Sequence, residues 1–312
     1  MSKTAFLFPG QGSQSVGMGR DLASSFPVAR RTFEEANDAL GFDLAHLCFQ
    51  GPEEQLRLTE FTQPAIFTVS VAALRVLAEA GVTADFVAGH SLGEYSANVA
   101  AGAIDFAAAA RTVRRRGQLM QEAVPAGQGS MAAILGMPAE DLIAVCRDAS
   151  SEGAPVQPAN LNSPEQTVIS GATAAVERAV ALAKERGAKR AVLLQVSAPF
   201  HCSLMQPAQD GLSPILQEIL FSTTKIPVVV NVDAALVTDG AGLRDALIRQ
   251  VTGAVRWTES MQLLIAEGVT TFIEAGPGKV LSGLLRQIDR SQKSAQVEDP
   301  AGLEKLLAVL NP

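Results

Sequence analysis

Three times in this sequence a short apolar run breaks at a glycine-rich turn. Residues 4–8 run into Pro9-Gly10-Gln11-Gly12, residues 86–88 into Gly89-His90-Ser91-Leu92-Gly93, and residues 271–274 into Ala275-Gly276-Pro277-Gly278. Helical patterns fill the intervals. Apolar residues recur at helical spacing over 62–80 and stop at Gly81, a helix covers 92–101, and Asp105 N-caps another that runs to about Val124. A further strand is expected at 228–231, with helices near 202–219, 241–252, 257–267 and from about Lys279. Strands that alternate with helices predict a mostly parallel sheet covered by helices, an α/β fold of the α/β-hydrolase-like kind.

Residues 127–197 follow another rhythm. A strand at 131–135 precedes a helix at 138–149, with Pro138 suited to its first turn. Strands at 156–160 and 166–170 pair across Asn162-Ser163-Pro164, a helix covers 172–186, and a strand covers 190–196. The order βαββαβ is ferredoxin-like. We therefore expect a discontinuous large domain, 1–126 and 198–312, with a small ferredoxin-like subdomain inserted at 127–197.

Composition removes several classes of function. A net charge of −7 does not suit a nucleic-acid binder. No run of about 18 apolar residues suggests a membrane span. Cys48, Cys146 and Cys202 are widely spaced and read as free thiols of a reducing, cytoplasmic compartment. The histidines are His46, His90 and His201, in no metal-binding pattern, so neither a metal nor a cofactor is expected. Oligomeric state leaves no mark here, and a monomer is the default.

Gly89-x-Ser91-x-Gly93 matches the nucleophile elbow, in which a tight strand-to-helix turn lifts a serine hydroxyl to the carboxyl edge of the sheet. An ordinary loop serine capping the next helix fits the same five residues. A nucleophile needs a base. His90 is adjacent and points elsewhere, and His46 sits in a helical surface segment before the elbow. His201 follows the elbow, the order seen on such sheets, although an ordinary buried histidine remains the alternative. On the helix after Asp105, Arg116 lies about 60° from the direction of Val113 and leans toward the protein, while Arg111, Arg114 and Arg115 face away. A half-buried arginine wants a carboxylate, either a structural Asp or Glu or that of a substrate.

Four separated segments then resemble one family: Phe8-Pro9-Gly10-Gln11-Gly12-Ser13-Gln14, the elbow GHSLGEYSA, the stretch from Arg116 to Ala123, and Pro199-Phe200-His201. Together they are similar to the malonyl-CoA:acyl carrier protein transacylases, essentially from end to end. The resemblance implies roles. Ser91 would be the acylated nucleophile and His201 its base. The histidine would be held by a backbone carbonyl, here that of Gln250, and not by an aspartate. The N–H groups of Gln11 and Leu92 would form the oxyanion hole, and Arg116 would hold the free carboxylate of the malonyl group. Leu92 and Phe200 fit the malonyl type, with Phe200 crowding an α-methyl branch. The implied partners are malonyl-CoA and acyl carrier protein, and the implied pathway is fatty acid synthesis or a polyketide route. Two other classes share parts of this pattern: a serine esterase or thioesterase, which needs no arginine clamp, and a non-catalytic module that binds carrier protein.

Overall fold

The computed structural model describes residues 3–310, apart from 126, 195 and 197. Among the described residues ten strands form two sheets. The first sheet contains β1 (Lys3–Phe8), β2 (Phe86–Gly89), β7 (Val228–Val230), β8 (Ala235–Val237), β9 (Val269–Ala275) and β10 (Lys293–Val297), in the order β10-β9-β1-β2-β7-β8. All its pairs are parallel except the β7–β8 hairpin. The second is antiparallel, from β3 (Gly129–Leu135), β4 (Val156–Ser163), β5 (Gln166–Ala172) and β6 (Arg190–Leu193), in the order β4-β5-β3-β6. With its two helices, Ala139–Ala149 and Thr173–Glu185, it has the expected ferredoxin-like arrangement. The domain limits expected at 126 and 197 fall on residues outside those described.

The central strands β1 and β2 lie in register, with Phe8 opposite Gly89. Both are apolar and buried at this end, because helices cover the sheet on both faces. The pairing brings two of the three glycine turns, at Gln11 and at Ser91, to one point on the carboxyl edge. The third turn follows β9, where the buried carboxylate of Glu274 accepts the N–H groups of Leu281 and Ser282. It thereby satisfies free donors at the start of the helix Val280–Ile288.

The helix Thr59–Glu79 is long and apolar enough to cross a bilayer, contrary to the sequence reading, but 78% of its most apolar window is buried inside the protein. It begins three residues before the expected 62. Ala80 caps its end and is followed by Gly81 at φ 75°, whose left-handed conformation lets Val82 N–H reach back to Leu77 O. Asp105 caps the helix Phe106–Glu122 through the Ala108 N–H, as its position predicts. The helix Leu44–Gln50 around His46 was expected, whereas the helices Arg20–Ser25, Pro27–Leu40 and Glu53–Leu56 and the strands β8 and β10 were not placed from the sequence.

The small sheet is fastened over the large one. Leu161 N–H donates to Val255 O, Val255 N–H donates to Ala159 O, and Thr258 Oγ1 donates to Leu161 O. These bonds fix β4 across the carboxyl edge of the parallel sheet, so a cavity of about 540 Å3 lies between the two.

Candidate active site

Ser91 sits between β2 and the helix Gly93–Ala100 with φ 52°. A non-glycine residue in the left-handed region is strained, and the surroundings must hold it there. Two glycines make the turn sterically feasible. A Cβ on Gly89 would collide with the backbone of Gly93, and one on Gly93 would collide with Phe8 O. The elbow therefore closes on itself and packs against the end of β1. Asn231, just past β7, clamps it: Oδ1 accepts Ser91 N–H at 2.7 Å and Nδ2 donates to Gly89 O at 2.7 Å.

Ser91 Oγ lies 2.7 Å from His201 Nε2. His201 Nδ1 faces two backbone oxygens, Gln250 O at 2.9 Å and Gly253 O at 3.2 Å. Carbonyl oxygens only accept, so the proton resides on Nδ1 and Nε2 is left to accept from the serine hydroxyl. Burial, and then the positive charge of Arg116, push the imidazole pKa down to about 3. The ring is thus neutral at neutral pH, the form a general base requires. His201 is itself at φ 59°, so both members of the dyad occupy backbone conformations that favour glycine.

His90 does not serve Ser91. Its Nε2 is 2.8 Å from Asn162 Oδ1 on β4, and its ring lies against Trp257. His46 is exposed on the helix Leu44–Gln50. Cys202, beside the base, is buried and its thiol donates to Pro199 O.

Arg116 is more deeply placed than its helical direction suggested, with 2% of its surface exposed. Of the two carboxylates that the sequence left open, a structural Asp or Glu is not its partner among the described residues. Nη1 donates to Gln63 Oε1 at 2.8 Å, and Nη2 donates to Gln250 Oε1 at 2.9 Å and to Ser91 Oγ at 3.2 Å. All of these acceptors are neutral, and among the described residues no carboxylate lies within ion-pair distance. A buried cation with neutral partners and one edge at the nucleophile is a site prepared for an anion.

Three further expected residues reach the same cavity. Gln11, Leu92 and Phe200 line it together with Ser91, Arg116 and His201. A Cβ on Gly10 would collide with His90 O, so only glycine lets the Gln11 turn lie against the elbow. Among the described residues neither the Gln11 nor the Leu92 N–H has an acceptor. The Ser91 N–H, in contrast, is occupied by Asn231. Gln250 does not line the cavity. It acts from behind, through its backbone oxygen on His201 and its side chain on Arg116.

Sequence reasoning missed Asn231, Gln63 and Glu94. Glu94 is fully buried, and its Oε2 accepts Asn231 N–H at 2.9 Å and Gln250 Nε2 at 2.8 Å. Burial raises its carboxyl to about 7. A charged residue directly after GxSxG was the available signal, but first-turn acids on exposed helices look the same.

The acyl transferase domain model matches residues 5–305. The chain is 53% identical to the malonyl CoA-acyl carrier protein transacylase of Bacillus subtilis, over 99% of this chain and 98% of that protein. Its identity to the Escherichia coli K12 protein of the same name is 50%, over 98% and 99%. Among solved structures, an acyl carrier protein S-malonyltransferase from Vibrio cholerae superposes with a TM-score of 0.95 at 51% identity, covering 98% of this chain and 100% of that one. A type II PKS acyl-carrier protein in complex with its malonyl-transacylase matches with a TM-score of 0.96 at 48% identity, covering 100% of both chains.

Proposed function

This chain belongs to the acyl transferase domain family, and from that premise we propose how it works: it moves the malonyl group of malonyl-CoA to the phosphopantetheine thiol of acyl carrier protein through an ester on Ser91. The observation that carries the reading is the single constellation of Ser91 Oγ, His201 Nε2 and Arg116 Nη2 at one end of the cavity.

His201 Nε2 takes the proton as Ser91 Oγ attacks the thioester carbonyl. The free N–H groups of Gln11 and Leu92 receive the charge that develops on the carbonyl oxygen. The carbonyls of Gln250 and Gly253 hold Nδ1–H and fix the ring. The tetrahedral intermediate collapses, His201 returns the proton to the departing CoA sulfur, and malonyl-Ser91 remains. The thiol of the carrier's phosphopantetheine then attacks this ester. His201 takes the thiol proton and delivers it to Ser91 Oγ. Arg116 pairs with the malonyl carboxylate throughout, and Phe200 in the cavity wall crowds an α-methyl branch.

Every group in this scheme belongs to the chain itself, which supports a reaction that needs no cofactor. Soluble thioester substrates support a cytoplasmic reaction. A small sheet hydrogen-bonded over the site limits water and favours transfer over hydrolysis. The hydrolase and the non-catalytic binding module are set aside, because the former leaves the Arg116 site without purpose and the latter leaves the dyad without purpose. Intact-protein mass spectrometry after brief mixing with malonyl-CoA tests the proposal. One malonyl adduct on the wild type, none on Ser91→Ala, and discharge by holo acyl carrier protein are expected. Accumulating malonate without an adduct would mean a hydrolase.

A further inference from the structure

Gln250 joins the arginine to the protein behind it, and its side-chain amide has a direction. Oε1 accepts from Arg116 Nη2, while Nε2 donates to Glu94 Oε2 at 2.8 Å and to Ser91 O at 3.0 Å. A guanidinium only donates, and Glu94 Oε2 already accepts the Asn231 N–H, so the amide satisfies both neighbours in one orientation alone. The bond to Arg116 is the charge-assisted one, and the bond to Glu94 Oε2 is what turns the amide oxygen toward it. The Gln250 backbone does not depend on it, because its N–H bonds Ala246 O at the end of the helix Gly240–Arg249. The carbonyl that holds His201 therefore stays in place whatever happens to the side chain.

We propose that Glu94 is a positioning residue for the acyl-selecting arginine: through the side-chain amide of Gln250 it holds Arg116 Nη2 beside Ser91 Oγ. This rests on the role proposed above for Arg116. Glu94 touches neither substrate nor nucleophile side chain, and its effect reaches the reaction through two other residues. What matters is the acceptor at Oε2 more than the charge. Glu94 Oε1 has no hydrogen-bond partner among the described residues. A glutamine can therefore place its oxygen where Oε2 now lies and its NH2 where Oε1 lies, preserving both bonds. Protonation of the carboxyl at Oε1 leaves Oε2 accepting in the same way.

The test is the ratio of single-turnover acylation rates with malonyl-CoA and acetyl-CoA, because acetyl carries no carboxylate for Arg116. Glu94→Leu removes the acceptor and is expected to lower the ratio about tenfold, the worth of one buried hydrogen bond left unmade. Gln250→Leu, which keeps the backbone carbonyl, should do the same, and the double variant should fall no further than the lower single one. Glu94→Gln should stay within about twofold of wild type. Equal loss of malonyl and acetyl transfer in Glu94→Leu, additive losses in the double variant, or a Glu94→Gln that behaves like Glu94→Leu would each overturn the proposal. Should Glu94→Leu fail to fold, Glu94→Ala, whose vacated space admits water, takes its place in the same cycle. Arg116→Ala in the same assay reports on the clamp itself: an unchanged ratio there would refute the role of the arginine, separately from that of Glu94.

Discussion

The backbone oxygen of Gln250 lies 2.9 Å from His201 Nδ1, while its side-chain Oε1 lies 2.9 Å from Arg116 Nη2. One residue thus supports the base with its main chain and the anion site with its side chain. A carbonyl in the place of a triad aspartate fixes the tautomer without adding a negative charge. The imidazole next to it then feels burial and a neighbouring guanidinium with no carboxylate to offset them, which is why its pKa falls.

That balance gives the acylation step an unusual acid limb. With a pKa of about 3, His201 remains a neutral base well below the ordinary histidine value. Single-turnover acylation by malonyl-CoA should hold within about twofold from pH 7 down to pH 5, with the fold monitored by circular dichroism. A loss of about tenfold or more over that range, with the fold intact, would show an ordinary histidine instead.

Arg116→Ala should separate the acyl groups. Malonyl transfer is expected to fall about a hundredfold more than acetyl transfer, because a buried guanidinium pairs with a carboxylate through strong charge-assisted bonds. Parallel steady-state measurements with the two CoA esters decide it, and equal losses would remove the clamp from the mechanism.

Backbone strain at Ser91 predicts a reversed order of stability. Glycine ordinarily destabilises a protein relative to alanine, but at φ 52° the Cβ is the burden. Ser91→Gly should be more stable than Ser91→Ala by about 1 kcal/mol in denaturant unfolding, with both inactive. An alanine variant at least as stable as the glycine variant would mean that the elbow stores no strain.

Glu94 predicts a stability that depends on pH. Burial raises its carboxyl to about 7 from an ordinary 4.5, so between these values the folded protein binds more protons than the unfolded chain. Wild-type stability therefore declines as pH rises through that window, and the cost is complete above pH 7. Glu94→Gln escapes it. The stability of the variant minus that of wild type should grow by on the order of 3 kcal/mol between pH 4.5 and 8. A difference that does not change with pH would mean that the group ionises in the native state as it does in the unfolded one.

Local patterns carried much of this. The strand–glycine–helix turns at Gln11 and Ser91 were legible because the collisions that demand glycine at 89 and 93 involve residues four apart or the adjacent strand. The order of Ser91 and His201 along the chain pointed to the dyad. Helical spacing gave the direction of Arg116 but not its depth, which depends on contact between its helix and Thr59–Glu79. Its protein partners left no signal for a related reason: Gln63 and Gln250 are neutral amides brought in from 53 and 134 residues away. Asn231 escaped altogether, since an asparagine after a three-residue strand carries no signal until the fold sets it against an elbow 140 residues earlier.

The four-stranded sheet begins soon after the helix that carries Arg116 and ends shortly before His201, so the two groups stand as gateposts to an excursion of the chain. Such a plan makes tolerance to insertions and deletions uneven. One residue gained or lost at 198–200 would drag the imidazole away from a hydroxyl that it must meet within hydrogen-bond reach. The same change in the exposed turn of Ser151, Glu152 and Gly153, which lines no part of the cavity, would leave the chemistry untouched. The far rim of the inserted sheet is therefore free to drift in length and outline over evolutionary time, and it is also where a tag or reporter can be grafted into the chain without silencing it.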